Sequence, residues 1–182
     1  LAVYAGRQRG VLSAVEEARI ADLMLALPGQ FTEVLAQEGE IEQLSHQLSR
    51  ARDVLYLGRG PAFPLALEGA LKLKEISYIH AEGYAAGELK HGPIALVDED
   101  MPVVVLAPRD ELMDKTVSNI QEVAARGGRI ILIGDADAVH HTGLGDIATI
   151  TMPEIDALVA PIVYAAPIQL LAYHVAVFMG KD

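Results

Sequence analysis

Short, uninterrupted apolar runs alternate with segments of helical length, and this alternation constrains the fold more than any other feature of the sequence. The runs are residues 54–57, 102–107, 129–133 and 147–151, and the helical segments lie at about 64–80, 110–127 and 156–179. Strands that are apolar throughout are typical of parallel sheets covered on both faces. Right-handed crossovers then predict an α/β fold with a three-layer, doubly wound, mostly parallel sheet. Functional sites are expected at the carboxyl ends of its strands.

Two helices are predicted ahead of the sheet. Residues 11–27 carry apolar side chains at helical spacing and stop at Pro28-Gly29, and residues 30–50 form a second, more polar segment. We expect residues 1–50 to be a helical connector from a preceding domain and residues 51–182 to be the α/β domain. The chain starts with Leu rather than Met and stops directly after an apolar stretch, so we expect a fragment of a longer protein.

The charge balance and the lack of cysteine argue against several classes of function. Fourteen Lys and Arg against 25 Asp and Glu give a formal net charge of −11, and the basic residues form no cluster. A nucleic-acid partner is therefore not expected. Without cysteine, the chain has no disulfides, cysteine-ligated zinc or thiol nucleophile. The lack of cysteine is also compatible with the reducing cytoplasm, where we expect the protein to act.

Residues 157–180 contain no Asp, Glu, Lys or Arg over 24 positions, so a membrane-spanning helix has to be considered. Pro161, Pro167, Gln169 and His174 interrupt the stretch. A helix that is buried on most sides within an α/β layer has the same composition. We expect such a core helix, with His174 as a hydrogen-bonded core residue, and no membrane partner.

The turn after the first apolar run, Gly58-Arg59-Gly60-Pro61, lies where a doubly wound fold places a nucleotide loop. A dinucleotide fingerprint needs a third glycine for close packing of helix on sheet, and Phe63 and Pro64 stand near that point. No Walker lysine follows. The pattern predicts a tight strand-to-helix turn and no cofactor.

The adjacent pair His140-His141 lies in a predicted loop beside Asp135 and Asp137, which invites a metal-site interpretation. Adjacent residues seldom form a good pair of ligands, and the pair lacks a ligand spacing such as His-x-x-x-His. No metal is expected.

Glu68, Lys72 and Glu75 fall at positions i, i+4 and i+7 of the first helix after the first strand, which places them on one helical face. Two interpretations stay open. The face is either solvated, with an ordinary Glu–Lys pair, or part of an acid–base site. In such a site a carboxylate abstracts a proton while the ammonium stabilises the negative charge that develops next to a carbonyl.

His91 precedes Gly92-Pro93, so it sits at a break in regular structure rather than within an apolar stripe. Glu88, three residues earlier, would orient it if that turn is helical. Since its ordinary pKa lies near neutrality, His91 is suited to moving a proton at a sugar ring oxygen.

Residues 67–108 carry the most specific pattern, and the likeness extends through RGGRIILIGD and APIVYAAPIQLLAYHVA. This region, roughly residues 53 to 180, resembles the second sugar-isomerase (SIS) domain of the glutamine–fructose-6-phosphate aminotransferases. That family makes glucosamine 6-phosphate from fructose 6-phosphate and ammonia released from glutamine. The resemblance implies an aldose–ketose isomerase half, a sugar-phosphate ligand and a homodimer.

The resemblance also implies roles for particular residues. Glu75 matches the base that moves a proton between sugar C1 and C2, and Lys72 matches a neighbouring active-site lysine. His91 matches the ring-opening histidine, which the family supplies from the other subunit. Glu68, on the same face as Lys72, is a candidate substrate-binding residue.

Three departures from the family pattern predict that this chain alone does not complete the reaction. It has no nucleophilic cysteine of an amidohydrolase domain and no Ser/Thr-rich sugar-phosphate loop. The family's imine-forming lysine lies in a C-terminal tail that this chain does not reach, and Lys181 does not match it.

Two other functions stay open at this point. One is a non-catalytic sugar-phosphate sensor, which would have no use for a base and a ring-opening acid. No helix-turn-helix pattern accompanies the domain either. The other is an isomerase or deglycase for a different amino-sugar phosphate, which the sequence separates poorly from the first interpretation.

Overall fold

The computed structural model describes residues 1–145 and 147–181. Within them five parallel strands form one sheet with the order β2-β1-β3-β4-β5. The strands are β1 (Asp53–Gly58), β2 (His80–Ala85), β3 (Pro102–Ala107), β4 (Arg129–Gly134) and β5 (Ala148–Thr151). Strand β3 is buried along its whole length, and β1 and β4 are buried at all but their first residue. The predicted α/β fold with a doubly wound parallel sheet is confirmed.

Helices cover both faces of the sheet. They are α1 (Ala2–Gln8), α2 (Ala14–Leu35), α3 (Glu38–Leu48), α4 (Ala62–Ser77), α5 (Met113–Ala125), α6 (Ala136–Thr142) and α7 (Ala160–Phe178). Two short 3₁₀ turns, Ala86–His91 and Pro93–Leu96, follow β2. Alternate residues of β1 face opposite layers: Tyr56 packs in one apolar core with α3, α4 and α7, and Leu57 packs in a second core with α5.

Strand β2 was not predicted, and the helix expected at 64–80 ends earlier, at Ser77. The sequence of β2, HAEGYA, is polar because the strand lies at the edge of the sheet and only part of it is covered. The helix stops because Tyr78 takes up the left-handed conformation, with φ of 65°. A continuous apolar run is typical of a central strand, and an edge strand of this kind lacks one.

The predicted boundaries of the first two long helices are wrong. Helix α2 continues through Pro28 to Leu35, and the segment expected to be one helix at 30–50 is divided at residues 36–37. The proline removes one backbone donor, but the helix is held on both sides of it by Leu27 and Val34, which are buried in the core. Tertiary packing therefore outweighs the local stop signal. The division of the chain at residue 50 stays a prediction.

Helix α7 is long and apolar enough to cross a membrane by length and composition, and half of its most apolar window is buried inside the protein. It packs against α2, α3 and α4. This arrangement is that of the expected core helix. His174 on α7 is 8% exposed, as expected of a core residue. Its Nε2 lies 3.2 Å from Glu38 Oε1 of α3, but the geometry does not make a hydrogen bond, so the expected hydrogen bond is not found among the described residues.

Candidate functional site

Helix α4 brings the three predicted charged residues together. Lys72 Nζ donates a hydrogen bond to Glu75 Oε2 at 2.9 Å and lies 3.8 Å from Glu68 Oε1. The hydrogen bond to Glu75 and its negative charge, followed by the charge of Glu68, raise the pKa of Lys72 above its ordinary value. Lys72 is therefore a cation between two carboxylates at neutral pH. That is the charge arrangement which proton abstraction next to a carbonyl requires.

Glu75 lies at the edge of a groove of about 660 Å³ between the carboxyl-terminal ends of α4 and α7. The other walls are formed by Ile76, Tyr78, Tyr173, Ala176, Val177, Gly180 and Lys181. These walls are mostly apolar, yet Glu75 keeps 49% of its side chain exposed. The carboxylate therefore borders a space that a ligand of sugar size would fill while remaining open to solvent in the chain by itself.

Sequence reasoning missed the walls of this groove. Tyr173 and Val177 come from α7, about 100 residues after Glu75 in the chain, so no spacing in the sequence relates them. Tyr78 is the one described non-glycine residue with positive φ, and the ammonium of Lys181 lies 5.1 Å from the centre of its ring. The sequence carried no signal for this wall, because position 78 falls inside the helix predicted at 64–80.

Lys72 and Glu75 do not lie at the carboxyl ends of the strands, where a doubly wound fold is expected to place its site. Helix α4 starts at the carboxyl end of β1 and runs back along the sheet, and Glu75 is in its last turn. At 1.5 Å per residue, Glu75 is about 20 Å from the start of the helix. Lys72 and Glu75 thus lie towards the amino-terminal ends of the strands, on the helical layer.

His91 lies in a different place from Glu75. It is the exposed last residue of the turn Ala86–His91, which follows the carboxyl end of β2. Ala86 and Leu89 of that turn are buried in the core that contains α5, on the opposite face of the sheet from α4. The six residues of β2 alone separate its two ends by about 17 Å. One chain therefore does not bring Glu75 and His91 together.

The backbone around His91 is sharply constrained. Gly92 has φ of 149° and ψ of −57°, and Pro93 starts the next 3₁₀ turn. Residues other than glycine rarely adopt this conformation, so the reversal after His91 depends on Gly92. Glu88, expected to orient His91, is exposed, and no hydrogen bond joins the two side chains in the part of the chain that the structure describes.

The turn after β1 is the tight strand-to-helix connection that the sequence predicts. A Cβ on Gly58 would clash with the carbonyl oxygen of Ala62, so the backbone passes too closely for any side chain. Gly60 has φ of 52° and Arg59 Nη1 donates to Asn119 Oδ1 at 3.0 Å. The two glycines of this turn are thus explained by the tight path of the backbone from β1 into α4.

The segment around His140-His141 is helix α6 rather than the predicted loop. Asp135 Oδ1 caps this helix by accepting the backbone N–H of Ala138 at 2.7 Å, which explains the early helix start. Asp137 pairs with Arg109 at 2.9 Å. Over residues 1–145 and 147–181, no group of three or more His, Asp or Glu side chains is arranged to hold a metal ion.

Comparison with known proteins gives consistent matches. The SIS domain family model matches residues 47–179. Glutamine–fructose-6-phosphate aminotransferases [isomerizing] of Agrobacterium fabrum and Rhizobium meliloti are 62% and 60% identical over the whole of this chain. The chain spans about 30% of the length of these relatives.

Solved structures agree with this match. The C-terminal domain of glucosamine-fructose-6-phosphate aminotransferase from Francisella tularensis superposes with a TM-score of 0.95 at 42% identity, covering 99% of this chain and 50% of that one. A tagatose-6-phosphate ketose/aldose isomerase structure from Clostridium novyi, with a TM-score of 0.76 at 19% identity over 90% of this chain and 44% of that one, shares the fold. Since the family model covers well over half of the sequence, the chain belongs to the SIS domain family.

Proposed function

We propose that this chain is the C-terminal isomerase half of a glutamine–fructose-6-phosphate aminotransferase, which makes glucosamine 6-phosphate from fructose 6-phosphate and ammonia derived from glutamine. The observation that carries the proposal is the placement of Lys72 between Glu68 and Glu75, with Glu75 itself at the edge of the groove formed by α4 and α7. The 62% identity to an enzyme of that name supports the choice of reaction.

Glu75 is the base in this proposal. Its carboxylate takes a proton from C1 of the sugar, the C1–H electron pair forms a C1=C2 double bond, and the electron pair of the former double bond at C2 moves onto its heteroatom. The resulting carboxylic acid returns the proton to C2, and loss of the O1 hydroxyl proton leaves the C1 aldehyde of the aldose. Negative charge builds up on the heteroatom at C2 between these two steps. The ammonium of Lys72, which Glu75 and Glu68 hold in its charged form, stabilises that charge.

A homodimer in which His91 comes from the second subunit is part of the same proposal. His91 is suited to protonating the ring oxygen of a closed sugar, because the ordinary pKa of histidine lies near neutrality. Its position supports a shared site: within one chain it lies beyond the carboxyl end of β2 and on the face of the sheet opposite α4. We also place the protein in the cytoplasm, where phosphorylated sugars are made and used.

The test uses the full-length enzyme in D₂O, with fructose 6-phosphate and glutamine. Glu75→Gln should lower turnover, and deuterium incorporation at C2 of the product, by about 10²-fold or more, since a general base typically contributes 10² to 10⁴. Lys72→Gln should also slow both. Lys74→Gln changes the same charge on the exposed side of α4 and serves as the matched control, with turnover near that of the wild type.

Retained turnover in Glu75→Gln would contradict the catalytic role and would favour a domain that only binds sugar phosphates. Glu68→Gln separates binding from chemistry. Because Glu68 lies farther from Lys72 than Glu75 does, we expect this variant to raise KM more than it lowers kcat.

A further inference from the structure

A polar network joins the turn that carries His91 to helix α5. Lys90 Nζ lies 2.8 Å from Glu122 Oε1. Asn119 Nδ2 donates to Glu122 Oε2 at 3.5 Å, and Arg59 Nη1 donates to Asn119 Oδ1 at 3.0 Å. The network thus runs from the residue before His91, through α5, to the turn that follows β1.

Glu122 is the central member of this network. An ion pair between two fully exposed side chains stabilises little, because water and salt screen it and two mobile chains must be ordered. Here only Lys90 is largely exposed, at 66%, while Glu122 is 22% exposed and Asn119 is 6% exposed. Glu122 is therefore held in place before it meets Lys90, and less ordering is needed to form the pair.

Two further features constrain the turn on either side of Lys90 and His91. Leu89 is fully buried in the same core as Ile120 and Val123 of α5, which fixes the turn one residue before Lys90. After His91, Gly92 reverses the chain in a conformation that only glycine adopts readily. Between these two points, the Lys90–Glu122 pair ties the end of the turn to α5.

We propose that Glu122 is a positioning residue that holds His91 in place for ring opening by fixing Lys90. The inference rests on the proposed function of His91. A proton donor must lie within hydrogen-bond reach of the ring oxygen, so a displacement of about 1 Å slows proton transfer strongly. Glu122 itself does not touch the sugar, and its loss should affect only the step in which His91 takes part.

An acyclic substrate distinguishes this role from a general structural one. Fructose 6-phosphate that lacks its 5-hydroxyl group does not close to the furanose, so it needs no ring opening. In the full-length enzyme, Glu122→Gln should lower kcat for fructose 6-phosphate about three- to tenfold and leave kcat for the acyclic analogue unchanged. Asp114→Asn, an exposed carboxylate in the first turn of the same helix, is the matched control and should leave both rates unchanged.

Two further variants test whether Glu122 acts through Lys90 and His91. The double variant Lys90→Glu/Glu122→Lys exchanges the two charges and can form the ion pair again. It should therefore recover turnover that the single variant Glu122→Lys loses. Adding Glu122→Gln to His91→Asn should cause no further loss. Equal slowing of both substrates by Glu122→Gln, or no slowing of either, would overturn the inference. If His91→Asn itself spared fructose 6-phosphate, the proposed function of His91 would fail instead, whatever Glu122 does.

Discussion

Ser77 holds the junction between α4 and β2, two residues after Glu75, and its removal should destabilise the protein measurably. Ser77 is fully buried. Its hydroxyl donates to the carbonyl of Leu73 at 2.6 Å and accepts the backbone N–H of Ile79 at 3.2 Å. Ile79 is only 4% exposed, so water does not readily replace this acceptor.

Ser77→Ala removes one hydrogen bond, worth about 0.5–1.5 kcal/mol, and leaves a buried N–H without its acceptor, which costs about 1–3 kcal/mol. The two costs are not additive, because both include part of the free energy of removing the groups from water. We therefore expect a loss of about 2 kcal/mol in the free energy of unfolding. For a chain of this length, 1 kcal/mol shifts Tm by about 2–4 °C. The variant should therefore melt about 4–8 °C below the wild type.

Ser45 offers a matched control in the same protein. It is also fully buried, and its hydroxyl also donates to the carbonyl four residues earlier, that of Ile41, at 2.7 Å. Among the described residues it accepts no backbone N–H, so Ser45→Ala should cost only about 1 kcal/mol. Urea unfolding and calorimetry measure both variants. Equal losses for the two serines would refute the reasoning, because the unpaired Ile79 N–H would then carry no cost.

Two other predictions concern the groove. The pKa of Lys72 should exceed the ordinary lysine value near 10.4, and its folded-state cation should persist until the pH rises through that elevated pKa. Glu75→Gln should lower the Lys72 pKa more than Glu68→Gln does, as followed by NMR of its ¹³Cε; the reverse order would be a contradiction. Tyr78→Gly should relieve about 1 kcal/mol of left-handed strain and lose little packing, since Tyr78 is 74% exposed. The free energy of unfolding of this variant should therefore stay within about 1 kcal/mol of the wild type, while turnover of the full-length enzyme falls because the groove loses the ring that faces Lys181. Full turnover would show that the Tyr78 side chain has no role in the groove.

The central strands could be predicted from the sequence because burial on both faces leaves a continuous apolar run. This holds for β3, whose six residues are all buried, and for β1 and β4. Strand β2 follows another rule, since an edge strand keeps polar residues such as His80 and Glu82. Pro28 predicts a helix end that the structure does not have, for a different reason. Its effect on the helix is local, whereas the packing that sustains α2 involves residues distant in the sequence.

The acidic and basic residues of the candidate site were predictable because they repeat at helical spacing on one element. The groove beside them was not, since three of its eight lining residues come from α7, about 100 residues later in the sequence. The same applies to the network of Arg59, Asn119, Glu122 and Lys90, which joins three elements through single contacts. Contacts between distant elements leave no periodic signal in a single sequence.

Subunit mixing tests most directly the central claim that Glu75 of one chain and His91 of another act on the same sugar. Full-length Glu75→Gln and His91→Asn enzymes are dissociated, mixed in equal amounts and reassociated, and turnover of fructose 6-phosphate is measured. Random pairing makes half of the dimers mixed, each with one intact site, so about a quarter of wild-type activity should return. A mixture of Glu75→Gln with Lys72→Gln, both on α4, should recover none. No recovery in the first mixture would contradict the shared site.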